Sequence, residues 1–192
     1  MSTSWKTARI RRSSGSPASP GFTAPPDALR KLGYATFAWV VVFAAFHVYW
    51  GFGGQFGFGD ASNTVPDVRT AADWAYTVVI GIMFVVGALI PFATFQPWGR
   101  KVPTWMILTC SWTGFALLAI RGFSGLLDSG LRESGLMKNG LTGLTYEQVL
   151  GDAHPTAYTL WSSSGVDLYF FIGGVLFGLT AIGHRRAVRN AR

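Results

Sequence analysis

The sequence is poor in charge and has almost no cysteine. Charged residues make up 13% of its 192 residues, whereas 49% are hydrophobic and 15% are aromatic. A soluble globular domain usually carries about 25% charged residues, so this composition argues against that class and indicates a lipid environment. The single cysteine, Cys110, lies within an apolar run, which excludes an intramolecular disulfide and a two-cysteine redox site.

Motifs for catalysis and for metal binding are also missing. His47, His154 and His184 lie far apart in the sequence, and no two of them have the spacing of zinc or haem ligands. The serine run at 162–164 has no Gly-x-Ser-x-Gly pattern around it. We therefore predict no cofactor and no metal site.

Four runs are long and apolar enough to cross a bilayer. A helix needs about 20 residues to span about 30 Å of hydrocarbon. The runs cover residues 34–52, 74–95, 103–123 and 164–183. Pro91, inside the second run, should kink or loosen that helix because proline removes a backbone donor. The sequence predicts an all-α fold, a polytopic membrane bundle of four helices within residues 34–183.

Basic residues flank these runs unevenly. Residues 1–33 are rich in serine, proline and basic side chains, which predicts a disordered basic tail. Twelve of the 16 Lys and Arg residues lie in this tail, in the loop after the second run or in the basic C-terminus 184–192. By the positive-inside rule we expect both termini in the cytoplasm and a location in the bacterial plasma (inner) membrane. The same pattern argues against a nucleic-acid partner.

The long connection between the third and fourth runs has features of folded structure. Thr145 and Gln148 have capping-box spacing, which predicts a short helix through Leu150. Leucines recur through this connection among glycines and charged residues, a pattern typical of a segment lying on a bundle or at an interface. We expect a partly helical cap over the outer face.

Four ionisable side chains fall in the outer halves or at the outer ends of the predicted helices: His47, Asp73, Arg121 and Asp167. Such groups cost roughly 2.5–3.5 kcal/mol within a membrane, so each is a candidate functional residue. Their helical positions share stripes with small residues, which predicts one inward-facing polar cluster. We expect Arg121 and Asp167 to form an ion pair, serving either helix register or ligand and proton handling. For His47, structural and functional roles are equally open.

Further residues are assigned to a cavity and to helix packing. Four aromatic residues near the outer interface are either cavity-lining residues or interfacial anchors: Tyr49, Trp50, Trp161 and Tyr169. Four glycines are candidate helix-packing positions: Gly81, Gly114, Gly174 and Gly178. The spacing of the last two fits packing within one bundle or contact between two copies in a homodimer.

Several stretches together resemble a known family. They cover residues 47–54, 96–100, 121–122, 159–162 and 167–170. As a set they resemble a bacterial family of four-helix membrane proteins called domain of unknown function 3995, over residues 34–183. The resemblance implies a four-helix membrane architecture, and it implies no reaction, ligand or catalytic residue.

Three functions are consistent with these features. The favoured one is a non-enzymatic membrane component that binds a partner protein, a lipid or a small apolar ligand at an outer-leaflet cavity. The first alternative is a membrane enzyme or cofactor-binding protein that uses His47, Arg121 and Asp167. The second alternative is a small proton-coupled transporter, which would favour ionisable sites near mid-membrane and repeated halves.

Overall fold

The computed structural model describes residues 27–57 and 69–190. Its five α-helices are α1 (Asp27–Gly51), α2 (Ala71–Ala93), α3 (Thr104–Glu133), α4 (Tyr146–Leu150) and α5 (Ala157–Asn190), with a short 3₁₀ helix at Pro97–Lys101 between α2 and α3. No strand occurs within those two ranges. The all-α class is confirmed, and four helices are long and apolar enough to cross a membrane.

Several helices extend beyond the predicted apolar runs. Residues 27–33, assigned to the tail from sequence, are the first turns of α1, and residues 1–26 of that tail lie outside the described residues. Helix α3 continues past residue 123 to Glu133, and α5 begins at Ala157 instead of near residue 164. At 30 and 34 residues, α3 and α5 are longer than the roughly 20 residues that a bilayer requires.

Local signals in the sequence explain where helices begin and end. The predicted helix after Thr145 is present as α4, with the Thr145 side chain accepting from the Gln148 N–H in a capping box. It stops at Gly151, whose φ of 78° is left-handed and suits glycine. Pro91 lies close to the end of α2, and Thr94 Oγ1 donates to the Pro91 carbonyl at 2.6 Å, which satisfies an acceptor at the helix end.

The bundle is antiparallel, and α5 is its central element. Helix α5 packs along α3 on one side and along α1 on the other, while α2 packs mainly on α1. Trp39 and Val40 of α1 and Phe177 of α5 form the buried core. The hydroxyl groups of Thr36 and Thr180, both fully buried, share a hydrogen bond of 2.9 Å that links α1 to α5.

The two ends of this bundle differ in charge. We call the end where α1 begins and α5 finishes the basic end, because it carries Arg30, Lys31, Lys101 and the arginines of the last turns of α5. The opposite end, where α4 lies, is the cap end. Among the described residues, every Asp and Glu except Asp27 lies in or near the cap end.

Glycines allow the closest helix contacts. Gly174 lies against the backbone of Ala119 in α3, Gly178 lies against Phe115, and Gly114 lies against Phe177. Gly81 does not belong with these three, because a Cβ at that position would meet nothing within 4 Å. Its assignment to helix packing is therefore wrong, since it faces away from the other helices.

Candidate functional site

An ion pair joins α3 to α5 near the cap end. Arg121 Nη1 donates to Asp167 Oδ1, as the sequence predicted. The Asp167 side chain is only 5% exposed, whereas the Arg121 side chain is 55% exposed and also lies 5.6 Å from the centre of the Phe170 ring. Gly125 makes room for the carboxylate, because a Cβ there would lie 2.5 Å from Asp167 Oδ1. The carboxylate is thus enclosed, and the guanidinium faces a pocket.

A second ion pair lies about two to three turns further along α3, and the sequence reasoning missed it. Arg132 Nε donates to Asp128 Oδ2 at 2.6 Å, and Asp128 Oδ1 accepts the Leu141 N–H at 2.6 Å. The guanidinium lies 5.1 Å from the centre of the Tyr146 ring of α4. The Asp128 and Arg132 spacing of four residues was the available signal, because an acid four positions before a base favours pairing on a helix. This pair anchors the cap to α3.

Burial of Arg132 leaves part of its donor capacity unused. Its side chain is 3% exposed, and both Nη1 and Nη2 are buried without a hydrogen-bond partner among the residues that the structure describes. A buried unpaired donor costs free energy, so these nitrogens are places where a water molecule or a ligand oxygen would be stabilised.

Both ion pairs line one cavity, which we call the polar pocket. It lies between α3, α5 and the cap and has a volume of about 420 Å³. Besides Arg121, Asp128, Arg132 and Asp167, hydroxyl groups from both helices and apolar residues of the cap line it. Glu133 also lines it, so the charges of the lining side chains nearly cancel, and the pocket suits a polar ligand that can both donate and accept hydrogen bonds.

His47 lies apart from these ion pairs. Its Nδ1 is 3.1 Å from the Phe43 carbonyl of the same helix, and its ring packs against Phe84 and Trp50 with centroid distances of 4.8 and 5.3 Å. Phe43 in turn contacts Phe170, so aromatic rings stand between the imidazole and the ion pairs. An Nδ1–H bonded to the carbonyl leaves Nε2 as the acceptor of the neutral ring.

Asp73 also lies outside the predicted cluster. It forms a capping box at the start of α2, where its Oδ2 accepts from the Thr70 N–H at 2.7 Å and its own N–H donates to Thr70 Oγ1 at 3.3 Å. Its position is half-buried. The four-residue cluster predicted from depth is therefore reduced to the pair of Arg121 and Asp167, and Asp73 has a local role in helix initiation.

Aromatic side chains form a second cavity at the cap end, between α1 and α5. This aromatic groove has a volume of about 380 Å³. Three of the four predicted cavity residues line it: Trp50, Trp161 and Tyr169. Tyr49 does not, because its ring lies against Gly54 and its hydroxyl accepts the Phe56 N–H at 3.4 Å.

The chain after α1 folds back to close one side of the groove. Trp50 Nε1 donates to the Phe56 carbonyl at 2.9 Å, and the Gly57 N–H donates to the Tyr158 hydroxyl of α5 at 3.2 Å. At its inner end, Tyr169 and Trp39 exchange two hydrogen bonds between α5 and α1. These polar atoms are therefore paired within the protein, which leaves a mainly apolar lining that includes the hydroxyl groups of Tyr158 and Ser162.

Within the described ranges, no group of three or more His, Cys, Asp or Glu side chains is arranged so that it could hold a metal ion. Cys110 is half-buried in α3 and is a free thiol.

No curated protein and no solved structure matches the chain. The family described as Protein of unknown function (DUF3995) matches residues 40–141, which is more than half of the chain. The matched region includes Arg121 and the second ion pair but ends before Asp167. The resemblance inferred from the motifs is thereby confirmed, and the chain belongs to this family of proteins of unknown function.

Proposed function

We propose that this protein is a non-enzymatic component of the bacterial plasma membrane that binds a small apolar or amphipathic molecule in the aromatic groove. The observation that carries the proposal is the lining of the groove, where seven of the eleven residues are aromatic. Its volume of about 380 Å³ falls within the range of about 300–1,000 Å³ typical of ligand sites. Aromatic walls with few polar groups favour a ligand with a flat or chain-like apolar body.

The position of the groove favours a ligand that arrives from the membrane. Trp161, at its edge, is 78% exposed, and tryptophan prefers the boundary between hydrocarbon and headgroups. The Tyr158 hydroxyl and Ser162 lie on the same rim and offer hydrogen bonds to a polar head. A ligand with its apolar body in the groove and its head at this rim would match both features.

Catalysis is less well supported. The imidazole of His47 and the carboxylate of Asp167 are separated by the rings of Phe43 and Phe170, so these two groups do not face one another across the groove. A general base needs hydrogen-bond reach of the proton that it removes, roughly 2.6–3.2 Å. Binding of a ligand without a reaction requires only the aromatic lining of the groove.

The proposed topology places both termini in the cytoplasm and the cap outside. It is supported by the charge difference between the two ends of the bundle. In a Cys110→Ala background, Asn139→Cys should react with an impermeant maleimide added to intact cells, and Arg189→Cys should react only after lysis. The reverse pattern would overturn the orientation.

The groove can be blocked without disturbing the helices. Gly165 lines it, and a Cβ there would meet nothing within 4 Å, so Gly165→Leu should fill the groove without a backbone clash. Gly81→Leu is the matched control, because Gly81 is equally open but faces away from the bundle.

The test is to purify the three proteins from native membranes in a mild detergent and to quantify small molecules in organic extracts by mass spectrometry. We expect one compound to be enriched with the wild type and Gly81→Leu and depleted about tenfold with Gly165→Leu, which corresponds to a loss of about 1.4 kcal/mol. Equal amounts in all three extracts, or no enriched compound, would refute the proposal.

A further inference from the structure

A second groove lies at the basic end, on the surface between α3 and α5, and the proposed function does not use it. It consists of two hollows of about 330 and 460 Å³ that share Trp112 and Arg185. The first is otherwise lined by Ile182, Arg186 and Arg189, and the second by the α3 residues Leu108, Thr109, Thr113 and Ala116. One basic hollow therefore continues into one mainly apolar hollow.

The basic hollow carries three arginines without a carboxylate. Arg185, Arg186 and Arg189 are exposed, and among residues 27–57 and 69–190 none of them takes part in an ion pair. The described acid at this end, Asp27, pairs with Arg30 of its own helix at 3.2 Å. Arg185 and Arg189 are four residues apart, so they lie on one face of α5 and can contact the same anion.

The apolar hollow leads from these arginines towards the centre of the membrane. From Leu108 to Ala116, α3 rises about 12 Å at 1.5 Å per residue, and half of a bilayer core is about 15 Å thick. Trp112 stands between the two hollows and is 39% exposed, with a ring that can contact both a glycerol backbone and an acyl chain. The dimensions match one acyl chain that descends from a headgroup at the arginines.

We propose that this surface is a binding site for an anionic phospholipid, with the phosphate held by Arg185 and Arg189 and one acyl chain lying along Trp112 and Ala116. Arginine binds phosphate oxygens through two parallel N–H donors, which fits this headgroup better than a zwitterionic one whose own cation offsets the phosphate. Clusters of basic residues beside membrane helices attract anionic lipid in the same way. The apolar hollow distinguishes a lipid from a free phosphate, because a soluble anion would leave that hollow empty.

The experiment compares lipids on matched variants of the full chain. The test variant is Arg185→Gln/Arg186→Gln/Arg189→Gln, and the control is Arg30→Gln/Lys31→Gln/Lys101→Gln, which removes the same charge from the same end. Native mass spectrometry in a neutral detergent measures the binding of added phosphatidylglycerol and phosphatidylcholine, with soluble glycerol phosphate as a competitor. Circular dichroism first establishes that each variant retains its helical content.

We expect wild type and control to prefer phosphatidylglycerol over phosphatidylcholine, and the test variant to lose about tenfold or more in phosphatidylglycerol affinity. Glycerol phosphate should not compete. The proposal is overturned if both triple variants lose affinity equally, because bulk charge would then be the cause. It is also overturned if the two lipids bind alike or if glycerol phosphate displaces the lipid. If the test variant loses helical content, Ala116→Leu is tested instead, because it places a larger side chain in the apolar hollow. An unchanged lipid affinity of Ala116→Leu would overturn the proposal.

Discussion

The contact between Gly174 and α3 allows a quantitative test of the packing. A Cβ on Gly174 would lie 2.5 Å from the backbone N of Ala119 and 2.8 Å from its Cα, whereas ordinary contacts begin at 3.4 Å. Backbone atoms cannot rotate away, so α3 would have to retreat by about 1 Å along its principal interface. Overpacking of this kind costs roughly 1–3 kcal/mol.

Two other glycines provide the controls for Gly174→Ala. Gly81→Ala meets no atom within 4 Å and should be neutral or stabilising by up to about 1 kcal/mol, because alanine has the higher helix propensity. At Gly178 the nearest atom is the ring atom Cδ2 of Phe115 at 2.8 Å, which can move, so Gly178→Ala should give an intermediate loss. The difference in the free energy of unfolding between Gly174→Ala and Gly81→Ala should be about 1–4 kcal/mol.

The assay is reversible unfolding in mixed micelles with increasing sodium dodecyl sulfate, followed by far-ultraviolet circular dichroism. The free energy of unfolding is compared between variants at equal lipid and detergent. If Gly174→Ala proves as stable as Gly81→Ala, the close approach of α3 and α5 at this position is not present in the folded protein, and the argument from glycine packing fails.

Three further predictions concern the polar contacts. Asp167→Ala should lower the free energy of unfolding by about 1–3 kcal/mol. This loss is smaller than that for breaking a fully buried ion pair, because the Arg121 side chain is half exposed. An unchanged free energy of unfolding would contradict the pairing. A double-mutant cycle with Thr36→Val and Thr180→Val should give a coupling of about 0.6 kcal/mol, and a value of zero would exclude their hydrogen bond. Tyr146→Ala removes the ring over a buried guanidinium, so cleavage of the cap by added protease should accelerate while global unfolding stays the same. If the rate of cap cleavage and the rate of global unfolding increased by the same factor, the cap would not open separately from the rest of the protein.

Hydropathy was sufficient to locate four helices but not their ends. The apolar runs end at the expected boundary of the hydrocarbon core. The helices continue beyond it for as long as backbone hydrogen bonds and local ion pairs stabilise them. Arg30 pairs with Asp27 in the first turn of α1, and Arg132 pairs with Asp128 in the last turns of α3. Both pairs lie outside the predicted spans, so the polar extensions were visible only as charge spacing, which the search for apolar segments did not use.

The polar site was predicted by depth along the membrane, and depth alone does not fix which neighbour a side chain meets. Arg121 and Asp167 lie on adjacent helices at matching heights, so their pairing followed from sequence. His47 lies on the side of α1 that faces α2, which the stripe of small residues did not indicate. The spacing of Thr70 and Asp73 was a capping signal, and it accounts for that carboxylate without any tertiary partner.

The hydrogen bonds that Trp39 and Tyr169 exchange have a consequence for biosynthesis. The two residues are 130 positions apart, and ribosomes add about 5–20 residues per second, so about 6–26 seconds separate their synthesis. During that interval the indole N–H of Trp39 lacks its native acceptor, the Tyr169 carbonyl. The two hydrogen bonds between α1 and α5 therefore form only after α5 has been synthesised, which makes this contact a late step in the assembly of the bundle.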